Sequence, residues 1–144
     1  MEIRKITDRY CVTPQITAED IAAIHAAGFD TIICNRPDAE VPTEQSVAKM
    51  RAAAEAAGLA FHDLPLTHDS MTAERIARQR TICDEADGPV LAYCASGTRC
   101  TVVWALGQTA HRPVSEIVSM AQSAGYDLAP LRPRLEEMAA QGGV

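Results

Sequence analysis

Cys94-Ala95-Ser96-Gly97-Thr98-Arg99-Cys100 is the stretch of this chain whose residue types and spacing could do chemistry. The small side chains of Ala95, Ser96 and Gly97 let successive backbone N–H groups turn inward around one point, and Gly97 permits a positive φ where the turn needs one. Arg99 adds a planar fork suited to an oxyanion. A helix beginning near Arg99 contributes the positive end of its dipole to the same point. A cysteine in that field should ionise easily, because thiolate is the form the field favours. A lone cysteine at a strand end is more often a small buried apolar residue. Glycine three places on, arginine five places on, and a strand before with a helix after shift the balance towards function. The chemistry implied is nucleophilic: a Cys94 thiolate inside an anion-binding bowl formed by residues 95–99.

Several neighbours could assist, each with a plainer alternative. Cys100 follows Arg99 directly, so its sulfur should lie near that of Cys94. It is either a redox partner, open to thiol–disulfide or persulfide exchange, or a small packed residue. Asp69, in Leu66-Thr67-His68-Asp69-Ser70, is either a general acid for a leaving oxygen or a first-turn helix residue with a capping role. His68 is the only histidine expected near the cleft, and His25 reads as a core residue on a helix face. Arg36 and Asp38, in Asn35-Arg36-Pro37-Asp38, either line the cleft or satisfy their own turn. The five cysteines are odd in number and form no paired Cys-x-x-Cys knuckles. A disulfide framework or zinc site is therefore not indicated, and neither a metal nor a cofactor is expected.

These residues need elements to position them. Short strands read at 4–7 and 10–12, with Asp8-Arg9 as the turn between. Thr17-Ala18-Glu19-Asp20 is a capping sequence for a helix that carries Ile21 and Ile24 and stops at Gly28. An apolar strand at 29–34 is followed by a helix at 42–57, a strand at 60–64 and a helix at 71–85 capped by Ser70 or Thr72. A fourth apolar strand at 90–93 leads into the Cys94 loop. Helices follow at about 99–109, 114–124 and 130–140, with residues 141–144 frayed. Strand–helix–strand repetition demands right-handed crossovers. The expected fold is α/β, a mainly parallel central sheet of about four to five strands flanked by helices, as one domain over 1–144. In such sheets ligands bind beyond the carboxyl ends of the strands, where the loops 35–40, 65–70 and 94–99 emerge.

Composition narrows the function classes. A chain of 144 residues can bury a real core, and 47% apolar with 22% charged residues is ordinary globular usage. The formal charge of −6 disfavours a nucleic-acid partner, whose phosphates would need neutralising. No apolar run approaches the roughly 18 residues of a membrane span, and no leader follows Met1, so no membrane association and a cytoplasmic location are expected.

The loop from Tyr93 to Cys100 resembles the active loop of single-domain rhodaneses, which carry Cys, two residues, Gly, one residue and Arg. The rest of the chain is not rhodanese-like: it lacks a downstream strand ending in Gly-Gly and a Gly-His-Ile element between its early strands. From about residue 15 to 135 it resembles the DUF442 family. These are phosphatase-like domains found alone or fused to metallo-β-lactamase-type persulfide dioxygenases in β-lactamase hydrolase-like proteins. The likeness rests on Pro14-Gln15-Ile16-Thr17, Gly28-Phe29, Asn35 to Glu40, Ala56-Ala57-Gly58-Leu59, Leu64-Pro65, the Cys94 loop, Trp104 and Ala124-Gly125-Tyr126-Asp127. It implies a cysteine-phosphatase-like fold of the dual-specificity kind, a small sulfur-containing or phosphorylated substrate, and a persulfide dioxygenase as partner.

Members of that family have been described both as sulfurtransferases and as phosphatases, so the residues must decide. Protein tyrosine and dual-specificity phosphatases place five residues between Cys and Arg, whereas this chain places four. A shorter bowl suits a persulfide sulfur at least as well as a phosphoryl group. Cys100 also stands where a hydroxyl residue is usual, and a weak S–H donor should steady the Cys94 thiolate less well. The leading expectation is thus a sulfurtransferase in which Cys94 takes a sulfane sulfur from thiosulfate or glutathione persulfide and hands it to a thiol. The alternatives are a phosphatase with Cys94 as nucleophile, Arg99 as clamp and Asp69 as acid, and a catalytically weak anion-binding regulatory module.

Overall fold

The computed structural model describes residues 1–144. Five strands form one sheet in the order β1-β2-β5-β3-β4, with β1 (Arg4–Thr7), β2 (Tyr10–Thr13), β3 (Thr31–Cys34), β4 (Ala60–Asp63) and β5 (Val90–Tyr93). Only the β1–β2 hairpin is antiparallel; β2–β5, β5–β3 and β3–β4 are parallel, as the alternation of strands and helices requires. The expected α/β sheet is therefore present, with β5 at its centre.

A central parallel strand has both faces covered, and β5 is buried at all four positions. Its residues alternate between two cores. Val90 and Ala92 pack with Val12 and Ile33 beneath α3 (Ala73–Glu85), α4 (Thr98–Gly107), α5 (Val114–Ser123) and α6 (Arg132–Ala140). Leu91 and Tyr93 join Ile32 and Cys34 on the other face, under α1 (Ile21–Ala26) and α2 (Val47–Ala56). Each fully buried Leu or Ile contributes about 1.5–3 kcal/mol, so a strand that feeds both cores is firmly held at its carboxyl end. No helix is long and apolar enough to cross a membrane.

The helix starts differ from expectation for local reasons. The second helix begins at Val47, because Ser46 is extended at ψ 155° and accepts from the Lys49 amide as an N-cap. The third begins at Ala73, with Thr72 as cap accepting from the Arg75 amide. Asp69 thus lies outside the helix, and its capping role is corrected. His25 is exposed rather than core. The tail is not frayed: Val144 packs on the core, and its carbonyl accepts from Arg80.

Candidate active site

Because β3, β4 and β5 are parallel, the loops after their carboxyl ends converge on one rim. Cys94 follows β5 and is buried at 1% exposure, while Ala95 and Ser96 above it are exposed. The sulfur therefore sits at the bottom of the loop. Gly97 takes φ +92°, the left-handed conformation that turns the chain into α4. A Cβ there would also lie 2.1 Å from the Tyr126 hydroxyl, which donates to the Ser96 carbonyl at 3.0 Å. Only glycine meets both constraints.

The Gly97 amide donates to Cys94 Sγ at 3.1 Å. The thiol is brought down to about 5, chiefly by the Cys100 thiol donating to it; burial opposes this, and the amides of Cys100, Ser96 and Gly97 add to it. Cys100 is itself pushed far up by burial and then by the adjacent Cys94 sulfur, so it stays protonated and remains a donor. A fully buried donor with no competing water interacts more strongly with a thiolate than the same donor in solvent. All five cysteines are free thiols. A charge-assisted hydrogen bond is worth about 1.5–3 kcal/mol, so Cys100→Ala should raise the midpoint of Cys94 alkylation by about 1 to 2 pH units from about 5. Cys100→Ser should leave it near the parent value. Iodoacetamide rates across pH, with peptide mapping, check both, and an unmoved midpoint in the alanine variant would assign the effect to the amides.

Arg99 is held by a residue that sequence reasoning passed over. Its Nη1 and Nη2 donate to the two carboxylate oxygens of Glu40, both at 2.8 Å, and Nη1 also donates to the Leu66 carbonyl at 3.0 Å. The Cys94 sulfur also helps to hold the guanidinium's charge. Glu40 thus fixes the outer edge of the fork and leaves the inner edge for an oxyanion. Arg99, followed by Arg36, holds the Glu40 carboxyl below the usual range, so Glu40 stays ionised and is a poor proton donor.

The cleft over this rim has a volume of about 360 Å³ and is lined by Glu40, Thr67, His68, Ser96, Thr98 and Arg99. His68 is therefore placed as expected. Asp69 is exposed but not among the lining residues, because the Thr67–Ser70 turn presents Thr67 and His68 to the cleft instead; that turn is closed by Thr67 N–H donating to Ser70 Oγ at 2.8 Å. Arg36 and Asp38 are not lining residues either. Arg36 binds Gln15 Oε1 at 3.2 Å and Glu40 Oε1 at 3.3 Å, and Asp38 Oδ1 accepts from the Val47 amide at 2.8 Å. Both hold the loop that carries Glu40.

A buried amide network ties the rim together. Asn35 and Gln79 exchange two hydrogen bonds at 2.9 Å, Asn35 also donates to the Leu64 carbonyl, and Gln79 donates to the Tyr10 hydroxyl. That hydroxyl donates to the Cys100 carbonyl at 2.7 Å. The loop after β3, the loop after β4 and the start of α4 thus share one rigid base. A larger cavity of about 590 Å³ lies between the β1–β2 hairpin, α3 and α4. Its only thiol, Cys83, is pushed up to about 12 by burial, which leaves it protonated.

The family model described as "Beta-lactamase hydrolase-like protein, phosphatase-like domain" matches residues 2–111. The chain belongs to this family. A β-lactamase hydrolase-like protein of Agrobacterium fabrum is 30% identical over 142 residues, 97% of this chain and 33% of that protein. The chain thus spans about a third of the length of the curated relatives it matches. The crystal structure of a candidate phosphatase from Neisseria meningitidis Z2491 is similar at TM-score 0.85 and 37% identity, covering 95% of this chain and 98% of that one. Tk-PTP in its active form shares the fold at TM-score 0.73 and 15% identity, over 97% of each chain. The phosphatase-like domain thus has the fold of cysteine phosphatases, as the family resemblance implied. The comparisons bring no support for sulfur transfer, which the loop spacing had put first, and they favour the phosphatase alternative.

Proposed function

We propose that this phosphatase-like domain is a cysteine-dependent phosphomonoester hydrolase. The observation that carries the reading is the Cys94 thiolate, brought down to about 5, beside a guanidinium whose outer edge is pinned by Glu40. The thiolate attacks phosphorus and the P–O bond to the leaving group breaks, giving a phosphocysteine. Arg99 and the loop amides stabilise the charge on the equatorial oxygens. Water then attacks the same phosphorus, the S–P bond breaks, and phosphate leaves with the thiolate restored. Turnover should fall as pH drops through about 5, because protonation removes the nucleophile.

The leaving oxygen needs a proton, and His68 lines the cleft whereas Asp69 does not. His68→Gln is expected to slow poor leaving groups by roughly 10²- to 10⁴-fold and to spare good ones, with Asp69→Asn near the parent rate. Alkyl against nitrophenyl phosphates measure the difference. The opposite pattern would return the acid to Asp69.

Sulfur transfer is a second reading, favoured by the four-residue spacing between Cys94 and Arg99 and by amides that point at the sulfur itself. One preparation assayed for phosphate release from a phosphomonoester and for thiosulfate-to-cyanide transfer tests the proposal. Phosphate release alone supports hydrolysis; thiocyanate alone overturns it.

A further inference from the structure

The chemistry of the cleft mouth is uniform. Its lining contains no apolar side chain: it offers the hydroxyls of Thr67, Ser96 and Thr98, the His68 imidazole, the Glu40 carboxylate and the Arg99 guanidinium. Every aromatic side chain of the chain, Tyr10, Phe29, Phe61, Tyr93, Trp104 and Tyr126, is buried in the cores, so none can form a wall against which a substrate ring would stack. At about 360 Å³ the cleft lies at the small end of the range for ligand sites.

We propose that the substrate is a small hydroxylated phosphate monoester, of the polyol or sugar phosphate type, and not an aryl phosphate; this rests on the phosphomonoester reading above. Ser96 Oγ donates to Thr98 Oγ1 at 2.9 Å, which leaves the Thr98 hydroxyl proton free to donate into the cleft. Glu40 accepts twice at Oε1, from Arg99 and Arg36, and once at Oε2, from Arg99, so Oε2 still has a lone pair for a substrate hydroxyl. His68 makes no hydrogen bond within the protein. A polyol replaces the water on these groups bond for bond. A phenyl ring strips that water and returns nothing, which is the costly case for polar groups.

Binding, separated from leaving-group chemistry, is the proper test. Calorimetry on Cys94→Ser protein with inorganic phosphate, glycerol 3-phosphate and phenyl phosphate should show glycerol 3-phosphate about 3- to 10-fold tighter than phenyl phosphate, the value of one added hydrogen bond. The same order is expected on wild-type protein, where dihydroxybutylphosphonate should protect Cys94 from iodoacetamide better than benzylphosphonate does. His68→Tyr, which puts a ring into the mouth, should reverse it. Phenyl phosphate binding as tightly as glycerol 3-phosphate overturns this inference and leaves the phosphomonoester reading standing. If neither monoester nor phosphate binds or protects, that reading falls as well.

Discussion

Cys94→Ser is expected to lower phosphomonoester turnover by on the order of 10⁴- to 10⁶-fold while the fold and phosphate binding survive. The loop makes a nucleophile from a thiol because the Cys100 S–H and the amides of Cys100, Ser96 and Gly97 stabilise a charged sulfur, bringing it to about 5. A serine hydroxyl starts far above any pH at which the protein is stable, so the same donors leave it protonated. No other thiol can take over. Burial raises Cys11 and Cys34, pushes Cys83 up to about 12, and pushes Cys100 well above the usual thiol range. Initial rates of phosphate release, beside circular dichroism and thermal melting, measure the effect. A variant that kept a tenth of the activity would place the nucleophile elsewhere.

Arg99→Lys should cost about 10²- to 10³-fold in turnover, with a matching loss of phosphate or sulfate affinity, although the charge is kept. The guanidinium performs two tasks at once. Its Nη1 and Nη2 engage Glu40 at 2.8 Å, and its charge is held in part by the Cys94 sulfur, where the substrate oxyanion is to be bound. An ammonium on a flexible stem can satisfy the carboxylate or the substrate, but it cannot present two parallel donors to each. The ion pair joins side chains that are 11% and 35% exposed, so its own contribution to stability is modest and the fold should tolerate the change. Unchanged anion affinity would reduce Arg99 to a tie between α4 and Glu40.

What could be read from sequence follows from what is local. The strands around Ile32-Ile33 and Val90-Leu91 were legible because a strand buried on both faces must be apolar throughout. The Cys94 loop was legible because its chemistry lies within six consecutive residues. The Glu40 contact was not, because its partner is 59 residues away and the two meet only where the loops after the adjacent strands β3 and β5 converge. The acidic residue closing Arg36-Pro37-Asp38-Ala39-Glu40, on a loop already expected at the rim, was the signal available. That His68 lines the cleft and Asp69 does not depends on how one turn faces, which the Thr67–Ser70 hydrogen bonds set and spacing does not. Gln79 lies one turn from Ile76 on α3, and its spacing alone marks no function. A glutamine at 1% exposure must have buried partners, and here they are Asn35 and Tyr10.

The central claim is that Cys94 carries the phosphoryl group between substrate and water. Acid quench of wild-type protein during turnover of an alkyl phosphate, followed by peptide mass spectrometry, tests it most directly. The account predicts one phosphoryl group on the peptide containing Cys94, formed and lost at rates compatible with turnover and absent from Cys94→Ser. A phosphoryl group on another residue, or turnover at the normal rate with Cys94 never modified, would contradict it.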